Sequence, residues 1–119
     1  MNLKESFSQV EKYFWPRIIG EVNDQYIKVV KIKGQDVPWH RHEQEDELFY
    51  IVEGELLMEV ENQPQWIMQT GDFYVVKKGV VHRVSSTKEC CVMLIETKTT
   101  RHTGNVESAI TKSIESQAY

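Results

Sequence analysis

Three histidines and one glutamate in this chain have types and spacings that could hold a metal ion. His40 and His42 are one residue apart, Glu47 follows five positions later, and His82 lies forty residues beyond His42, just after Gly79. Neutral imidazole nitrogens and a carboxylate oxygen are ligands that divalent first-row metals accept. Because the 119 residues contain only four histidines, their concentration here predicts a metal site.

The geometry of an extended chain supports this interpretation. In a β-strand, residues 40 and 42 project from the same face, about 6.5–7 Å apart along the chain. Their imidazoles can therefore converge on one ion at about 2.1 Å from each nitrogen. A polar connection over residues 43–46 leads into Glu47, which opens the next apolar strand. We expect Glu47 to complete the same coordination sphere, and Asp46 could orient a histidine by accepting its N–H.

The elements that must position these residues are short strands. Runs rich in β-branched and aromatic residues recur between turn signals from residue 25 to residue 96, with no helical run between them. This pattern predicts an antiparallel sandwich or barrel instead of a parallel α/β sheet. The predicted strands are Tyr26–Lys33, Glu47–Val52, Leu56–Glu61, Trp66–Gln69, Phe73–Val76, His82–Ser85 and Cys90–Glu96. The side chains expected in the barrel lining or core are Phe49, Ile51, Leu56, Met58, Phe73 and Val75.

The two ends of the chain differ from this strand-rich region. Apolar residues near the start recur at helical steps, at Leu3, Phe7, Val10 and Phe14. Pro16 would end such a helix. We therefore predict a helical extension over residues 1–24 packed on the barrel, a barrel core over residues 25–98, and a polar tail of the same domain over residues 99–119. His102, in that tail, is expected to lie at the surface.

The composition indicates which binding partners and which cellular location to expect. The formal net charge is −4 without a basic run, so neither nucleic acid nor an anionic membrane is expected as a partner. The first residues lack an apolar stretch after a basic head, which argues against a signal peptide. Cys90 and Cys91 are adjacent, and adjacent Cα atoms lie about 3.8 Å apart, below the usual disulfide range of roughly 4.4–6.8 Å. We predict reduced thiols and a cytoplasmic location.

The residues around the histidines resemble the cupin superfamily. The first cupin motif is matched at every defining position by Gly34-x5-His40-x-His42-x4-Glu47-x6-Gly54. The second is matched at both glycines and the histidine by Gly71-x5-Lys77-x-Gly79-x2-His82-x3-Ser86. Lys77 stands where the motif has proline, and Ser86 where it has asparagine. More narrowly, the chain is similar to stand-alone single-domain cupins, which are often labelled mannose-6-phosphate isomerase-like, at Trp39-His-x-His, Asp46-Glu-Leu-Phe, Val75-Val-Lys-Lys-Gly79 and Leu94-Ile-Glu96.

This resemblance implies an all-β fold, a small antiparallel jelly-roll β-barrel of the RmlC-like cupin type. It also implies a set of metal ligands, namely His40, His42, Glu47 and His82. Three nitrogens and one oxygen without a thiolate suit divalent Fe, Mn, Ni, Co, Cu or Zn. The two departures, at Lys77 and Ser86, replace no metal ligand.

The ligand set leaves two main functional hypotheses open. The first is a metal-dependent dioxygenase, isomerase or lyase acting on a small oxygen-rich metabolite, in which Glu47 could also accept a proton. The second is a binding or sensor module that holds a small molecule at the metal without turnover. A metal-free structural barrel is a third interpretation. Because open sheet edges are usually covered by a partner or a terminal segment, we also expect a homodimer.

Overall fold

The chain folds mainly into antiparallel strands. The computed structural model describes residues 1–100 together with Gly104 and Gln117. A short helix α1 (Leu3–Ser6) and a 3-10 turn (Phe7–Gln9) come first. The strands are β1 (Arg17–Val22), β2 (Gln25–Gly34), β3 (Glu47–Glu53), β4 (Glu55–Val60), β5 (Trp66–Gln69), β6 (Phe73–Val76) and β7 (His82–Thr97). Among the described residues, no helix is both long and apolar enough to cross a bilayer.

One long strand, β7, joins the two parts of the barrel. Its first residues, 82–85, pair with β4, which also pairs with β5. Its later residues pair with β2 on one side and with β3 on the other. The path β1-β2-β7-β3-β6 completes the arrangement, and every one of these pairings is antiparallel. The predicted all-β, antiparallel jelly-roll architecture is confirmed.

The alternation of side chains along β2 separates two apolar clusters. Val30 and Ile32 face the barrel interior, where they join the main core. Val29 has the opposite parity and packs outside the barrel with Phe7 and Val10 from the N-terminal segment. Successive side chains of a strand point to opposite faces, so one strand contributes to both clusters. Phe7 and Val10 of the N-terminal segment therefore pack on the outer face of the barrel.

The predicted N-terminal helix is much shorter than its sequence pattern suggested. The α-helix ends at Ser6, and Phe14 adopts a φ of 60° in the left-handed region that no regular helix uses. The Phe14 side chain enters the barrel core instead of continuing the face of Phe7 and Val10. The sheet also begins earlier than residue 25, because Arg17–Val22 forms β1 and pairs with β2.

The prediction that all six chosen apolar residues line the barrel is wrong for β6. Phe73 is 66% exposed, and Val75 is only partly buried. The register places Val76 opposite Glu47 and Tyr74 opposite Phe49, so the even-numbered residues of β6 face inward. Because side chains alternate along a strand, an error of one residue assigns every side chain to the wrong face. The four residues predicted on β3 and β4 are buried, namely Phe49, Ile51, Leu56 and Met58.

The two strands predicted at residues 82–85 and 90–96 are one continuous strand. Ser86 lies where a turn was predicted, and its buried hydroxyl donates to the Glu55 carbonyl at 2.9 Å. This contact supports the chain where β7 leaves β4 and joins β2. Cys90 and Cys91 follow on β7 as free, buried thiols that belong to the inner and the outer cluster respectively.

Candidate metal centre

A pair of backbone hydrogen bonds fixes two of the predicted ligands side by side. His40 donates its N–H to the His82 carbonyl at 3.0 Å, and His82 donates its N–H to the His40 carbonyl at 2.9 Å. The third histidine is tied to the same region, because Gly79 donates to the His42 carbonyl at 2.7 Å. Gly79 has a φ of +81°, which favours glycine. The two sequence motifs are therefore joined directly through the backbone.

The side chains of the four predicted ligands converge. One candidate ligand atom from each of His40, His42, Glu47 and His82 lies within 4.8 Å of the other three. Glu47 Oε1 is 3.3 Å from His42 Nε2 and 3.6 Å from His82 Nε2. Two ligands on opposite sides of one ion would be separated by about 4.2 Å. Small rotations of these side chains would therefore suffice to bring all four to bonding distance.

Local hydrogen bonds orient two of the imidazoles. His40 Nδ1 lies 2.8 Å from the Pro38 carbonyl, and His82 Nδ1 lies 3.0 Å from the Val80 carbonyl. Since a carbonyl only accepts, each neutral ring carries its proton on Nδ1 and leaves the Nε2 lone pair free. A carbonyl partner on the second nitrogen is the usual way in which a metal-binding histidine is held.

Several polar atoms of the site are buried without a well-formed hydrogen bond to the part of the chain that the structure describes. They are His42 Nδ1, His42 Nε2, Glu47 Oε1 and His82 Nε2. All four ligand residues are at most 3% exposed, and an unsatisfied buried polar atom costs about 1–3 kcal/mol. A divalent cation would engage the converging lone pairs, so the residues present fit a metal ion.

Burial and mutual proximity shift the ionisation of the site. Burial, reinforced by the nearby His82, lowers the pKa of His40 to about 4. Burial also opposes charge on Glu47, but the close imidazoles of His42 and His82 outweigh it and hold the pKa of Glu47 well below its ordinary value. In the same way, Glu47 outweighs the burial of His42 and raises the pKa of His42. His40 is therefore neutral and Glu47 ionised near neutral pH, as metal ligation requires, whereas an ion at His42 would have to displace the proton that Glu47 favours there.

A buried ion pair that the sequence analysis did not predict lies behind Glu47. Lys28 Nζ is 2.8 Å from Glu96 Oε1, and both side chains are completely buried. Burial and the neighbouring Glu47 carboxylate raise the pKa of Glu96 well above its ordinary value. Of the two carboxyl groups, Glu96 therefore takes up a proton at a higher pH than Glu47 does. The strand alternation could have revealed this pair, because Lys28 and Glu96 fall at positions whose side chains point inward on otherwise apolar strands.

Two neighbours of the motif contact other protein groups instead of the four candidate ligands. Asp46 accepts the backbone N–H of Lys78 at 2.9 Å and lies 3.5 Å from Lys77 Nζ. It therefore braces the turn before His82 instead of orienting a histidine. The ring of Trp39 is 40% exposed, and the Arg83 guanidinium lies over it at 4.6 Å. This cation–π contact accounts for Trp39 without a ligand.

The tail contacts the site region at its two described positions. A Cβ atom on Gly104 would lie 2.9 Å from His40 Cδ2, so the backbone passes close to that imidazole. Gln117 is completely buried, and its Oε1 accepts a hydrogen bond from Lys28 Nζ. At these positions the tail lies against the barrel. The predicted surface position of His102 falls outside the described residues.

The chain is similar to known proteins over most of its length. The sequence profile of the Cupin domain family matches residues 28–96. The uncharacterized protein YdbB of Bacillus subtilis (strain 168) is 34% identical over 80 residues, which are 67% of this chain and 70% of YdbB.

Solved structures of similar proteins support the same family. A cupin-2 domain containing protein from Shewanella frigidimarina NCIMB 400 superposes with a TM-score of 0.78 at 37% identity, over 82% of this chain and 94% of that chain. Protein NMB1881 from Neisseria meningitidis superposes with a TM-score of 0.74 at 30% identity, over 82% of this chain and 98% of that chain. The matched residues 28–96 contain all four converging side chains. This chain is a small single-domain member of the cupin family.

Proposed function

We propose that this cupin holds one divalent first-row metal ion through His40, His42, Glu47 and His82. We further propose that it acts there on a small metabolite that bears oxygen donors. The convergence of four buried ligand atoms within 4.8 Å supports the proposal most strongly. A second support is that His42 Nε2, His82 Nε2 and Glu47 Oε1 are buried without a well-formed hydrogen bond to any described residue, because buried polar atoms are normally satisfied.

The donor set favours an ion that retains room for a ligand. Three nitrogens and one oxygen without a thiolate suit Fe, Mn, Co, Ni, Cu or Zn. Four protein ligands leave two positions of a six-coordinate ion for water or a chelating molecule, whereas four-coordinate zinc would be closed and structural. When bound, such an ion supplies Lewis-acid polarisation of a ligand oxygen.

The protein's own residues supply proton handling and exclusion of water. Glu47 is ionised and nearly inaccessible. Because the neighbouring His42 and His82 hold its pKa low, its carboxylate would act as a proton acceptor only after moving away from them. Glu96 and Lys28, behind it, hold that carboxylate in its orientation. The Phe49 ring packs against His82 at a steep angle, with 6.0 Å between the ring centroids, and helps to exclude solvent from the imidazole.

Calorimetric titration of the metal-free protein with Co(II), Mn(II) and Zn(II) tests the metal site. We expect one ion per chain and at least a 100-fold weaker affinity for Glu47→Gln. Glu53→Gln is the matched control, because Glu53 lies at the exposed end of the same strand and should bind the ion like the unmodified protein. Equal affinities for the two variants would reject the proposed ligand set.

Turnover is tested separately from binding. The metal-loaded protein is incubated with a panel of small carboxylic, keto and hydroxy acids, and substrate loss and oxygen uptake are recorded with His82→Ala as the blank. We expect consumption of at least one member that depends on His82. Tight binding of a panel member without any consumption would instead support the binding or sensor function.

A further inference from the structure

A small pocket in the barrel has two of the candidate metal ligands in its wall. His40 and Glu47 form its polar part, and the pocket volume is about 40 Å³. The rest of the wall is almost entirely apolar, and it includes Phe14, Ile32, Phe49, Val84 and Leu94. These five side chains are at most 6% exposed. A molecule bound to an ion at His40 and Glu47 would therefore extend into apolar surroundings.

The size and lining of this pocket favour a short alkyl group over water. A volume of 40 Å³ exceeds the roughly 10–15 Å³ that one water needs, but an ordered water also needs two to four polar partners. Outside His40 and Glu47, the wall is built mainly from aliphatic and aromatic carbon. An alkyl group of one to three carbons satisfies both the volume and the chemistry.

Phe14 is the unusual member of this wall. Its φ of 60° is a conformation that bulky residues rarely adopt and that surrounding structure must enforce. The Phe14 N–H donates to the Lys31 carbonyl at 2.9 Å, which holds the backbone in place. The consequence is that the phenyl ring turns into the barrel, away from the outer cluster that contains Phe7 and Val10. Strain of this kind is typical of positions that shape a site.

We propose that this pocket receives a one- to three-carbon alkyl group of the metal-bound ligand, and that Phe14 sets its length limit. This inference rests on the proposed metal function and narrows it. The substrate class is a small acid with adjacent oxygen donors, such as a 2-oxo or 2-hydroxy acid, that carries a short alkyl chain. Phe14 is then a specificity-determining residue.

The first test uses the metal-free protein, so it does not depend on the metal function. Xenon enters small apolar cavities, and amide chemical-shift changes under xenon pressure locate it. We expect saturable shifts around Phe14, Phe49 and Leu94, and their strong reduction in Val84→Phe, which fills the pocket. If no such shifts occur, or if Val84→Phe retains them, the pocket does not take apolar groups and the inference is wrong.

The second test measures ligand affinity on the cobalt-loaded protein without oxygen. The probes are glyoxylate, pyruvate, 2-oxobutanoate and 2-oxohexanoate. We expect affinity to rise about fourfold with each added methylene while the pocket fills, and to fall for 2-oxohexanoate. Phe14→Leu should move the optimum to a longer chain. Phe7→Leu is the matched control, because Phe7 is as deeply buried but lies in the outer cluster, and it should leave the optimum unchanged.

The two tests separate the possible failures. If xenon enters the pocket but no probe binds to the cobalt-loaded protein, the pocket is apolar but does not receive the alkyl group of a metal-bound acid, and the inference is wrong. The calorimetric metal titration then shows separately whether the proposed metal site stands. If the probes bind with the same chain-length preference in Phe14→Leu and in the unmodified protein, Phe14 does not limit the ligand. If Phe7→Leu shifts the preference as much as Phe14→Leu does, the effect is general loosening and the inference is also wrong.

Discussion

The imidazoles of this site are prepared for a metal by a repeated local device. His40 bonds the carbonyl two residues before it, at Pro38, and His82 does the same at Val80. Each proton is thereby kept on Nδ1, and each Nε2 lone pair faces the centre of the barrel. The ionised Glu47 carboxylate completes the set. The ligand geometry thus follows from the backbone around each histidine.

The lowered pKa of His40 makes the stability of the metal-free protein depend on pH. An unfolded histidine titrates near 6.5, whereas His40 in the fold titrates near 4, so the unfolded state binds more protons between these values. His40 therefore reduces stability as pH falls from about 6.5 to 4, by about 3 kcal/mol at most. His42, with its raised pKa, acts in the opposite sense.

Denaturant unfolding of His40→Gln and the unmodified metal-free protein across this range measures the effect. We expect His40→Gln to lose less stability on acidification, because glutamine takes up no proton. His42→Gln is the matched comparison and should lose more stability than the unmodified protein. Parallel stability curves for all three proteins would show that neither histidine has the pKa shift assigned to it.

The buried Lys28–Glu96 pair supports a prediction about folding stability. Removing one member of a buried ion pair leaves an uncompensated charge and costs about 3–5 kcal/mol, whereas replacing both with apolar groups costs much less. We expect Lys28→Met to be destabilising by this amount and Lys28→Met/Glu96→Leu to recover a large part of the loss. Lys33→Met, at an exposed position of the same strand, is the control.

Denaturant unfolding of these metal-free variants gives the coupling energy. If the double variant is as unstable as the sum of the two single variants, Lys28 and Glu96 do not act as a pair.

At the scale of elements, the sequence predicted the positions of the strands well. It predicted less well which side chains of a strand point inward and where one strand ends and the next begins. The runs at Trp66–Gln69 and Phe73–Val76 match the observed strands, because turn residues bracket them. The inward face of β6 was misassigned, since Phe73 and Tyr74 are both aromatic and four residues carry little periodic signal. The turn predicted between Ser85 and Cys90 is a bulge within β7, because the step from Ser86 to Cys90 lies opposite only the step from Gly34 to Ile32, and residues 87–89 are exposed.

The first strand, β1, was not predicted, although the sequence after it contains a turn signal. Arg17–Val22 is followed by the pair Asn23-Asp24 and then by β2, and Asn23 has a φ of 53°. Asparagine tolerates this left-handed conformation in two-residue hairpin turns. Pro16 marks the end of the N-terminal segment, and the strand begins directly after it.

Two glycines at the ends of β3 and β5 provide a prediction about turns. Gly54 and Gly71 both have φ near +100°, at +101° and +91°, but their surroundings differ. A Cβ on Gly54 would lie 3.0 Å from the Glu89 carbonyl oxygen and 3.2 Å from Cys90 Cα. A Cβ on Gly71 would have no non-neighbouring atom of the described residues within 4 Å. We expect Gly71→Ala to cost about 1–3 kcal/mol from backbone strain alone and Gly54→Ala to cost clearly more.

Thermal and denaturant unfolding of the two alanine variants decides this point. The same destabilisation in both would mean that the contact between Gly54 and β7 does not restrict the turn.

At the scale of the whole molecule, the exposed apolar side chains on outer strands support the expected homodimer. Val22 on β1 is 58% exposed and Phe73 on β6 is 66% exposed, and these strands are the two ends of the longer sheet path. Exposed edges with apolar side chains tend to associate. We expect size-exclusion chromatography with light scattering to give twice the 14.0 kDa mass of one chain.

Two serine variants locate the interface. Phe73→Ser and Val22→Ser are compared over a dilution series, and the variant at the interface should dissociate at higher concentration. A single-chain mass for the unmodified protein at high concentration would reject the dimer.

The candidate site was easier to predict than its surroundings. His40, His42, Glu47 and His82 belong to motifs with fixed spacing, so the sequence alone was enough to group them. Lys28, Glu96 and Phe14 belong to no local motif, and they reach the site only through strand register and an unusual backbone conformation. Such long-range placement cannot be read from a single sequence.

The central claim is that the three imidazoles and Glu47 bind one ion. Crystals of protein loaded with Co(II) or Mn(II), recorded on both sides of the metal absorption edge, test it most directly. We expect one anomalous peak per chain, bonded to a ring nitrogen of His40, His42 and His82 and to a Glu47 oxygen. A peak bound elsewhere, or the absence of any stoichiometric peak between these four side chains, would contradict it.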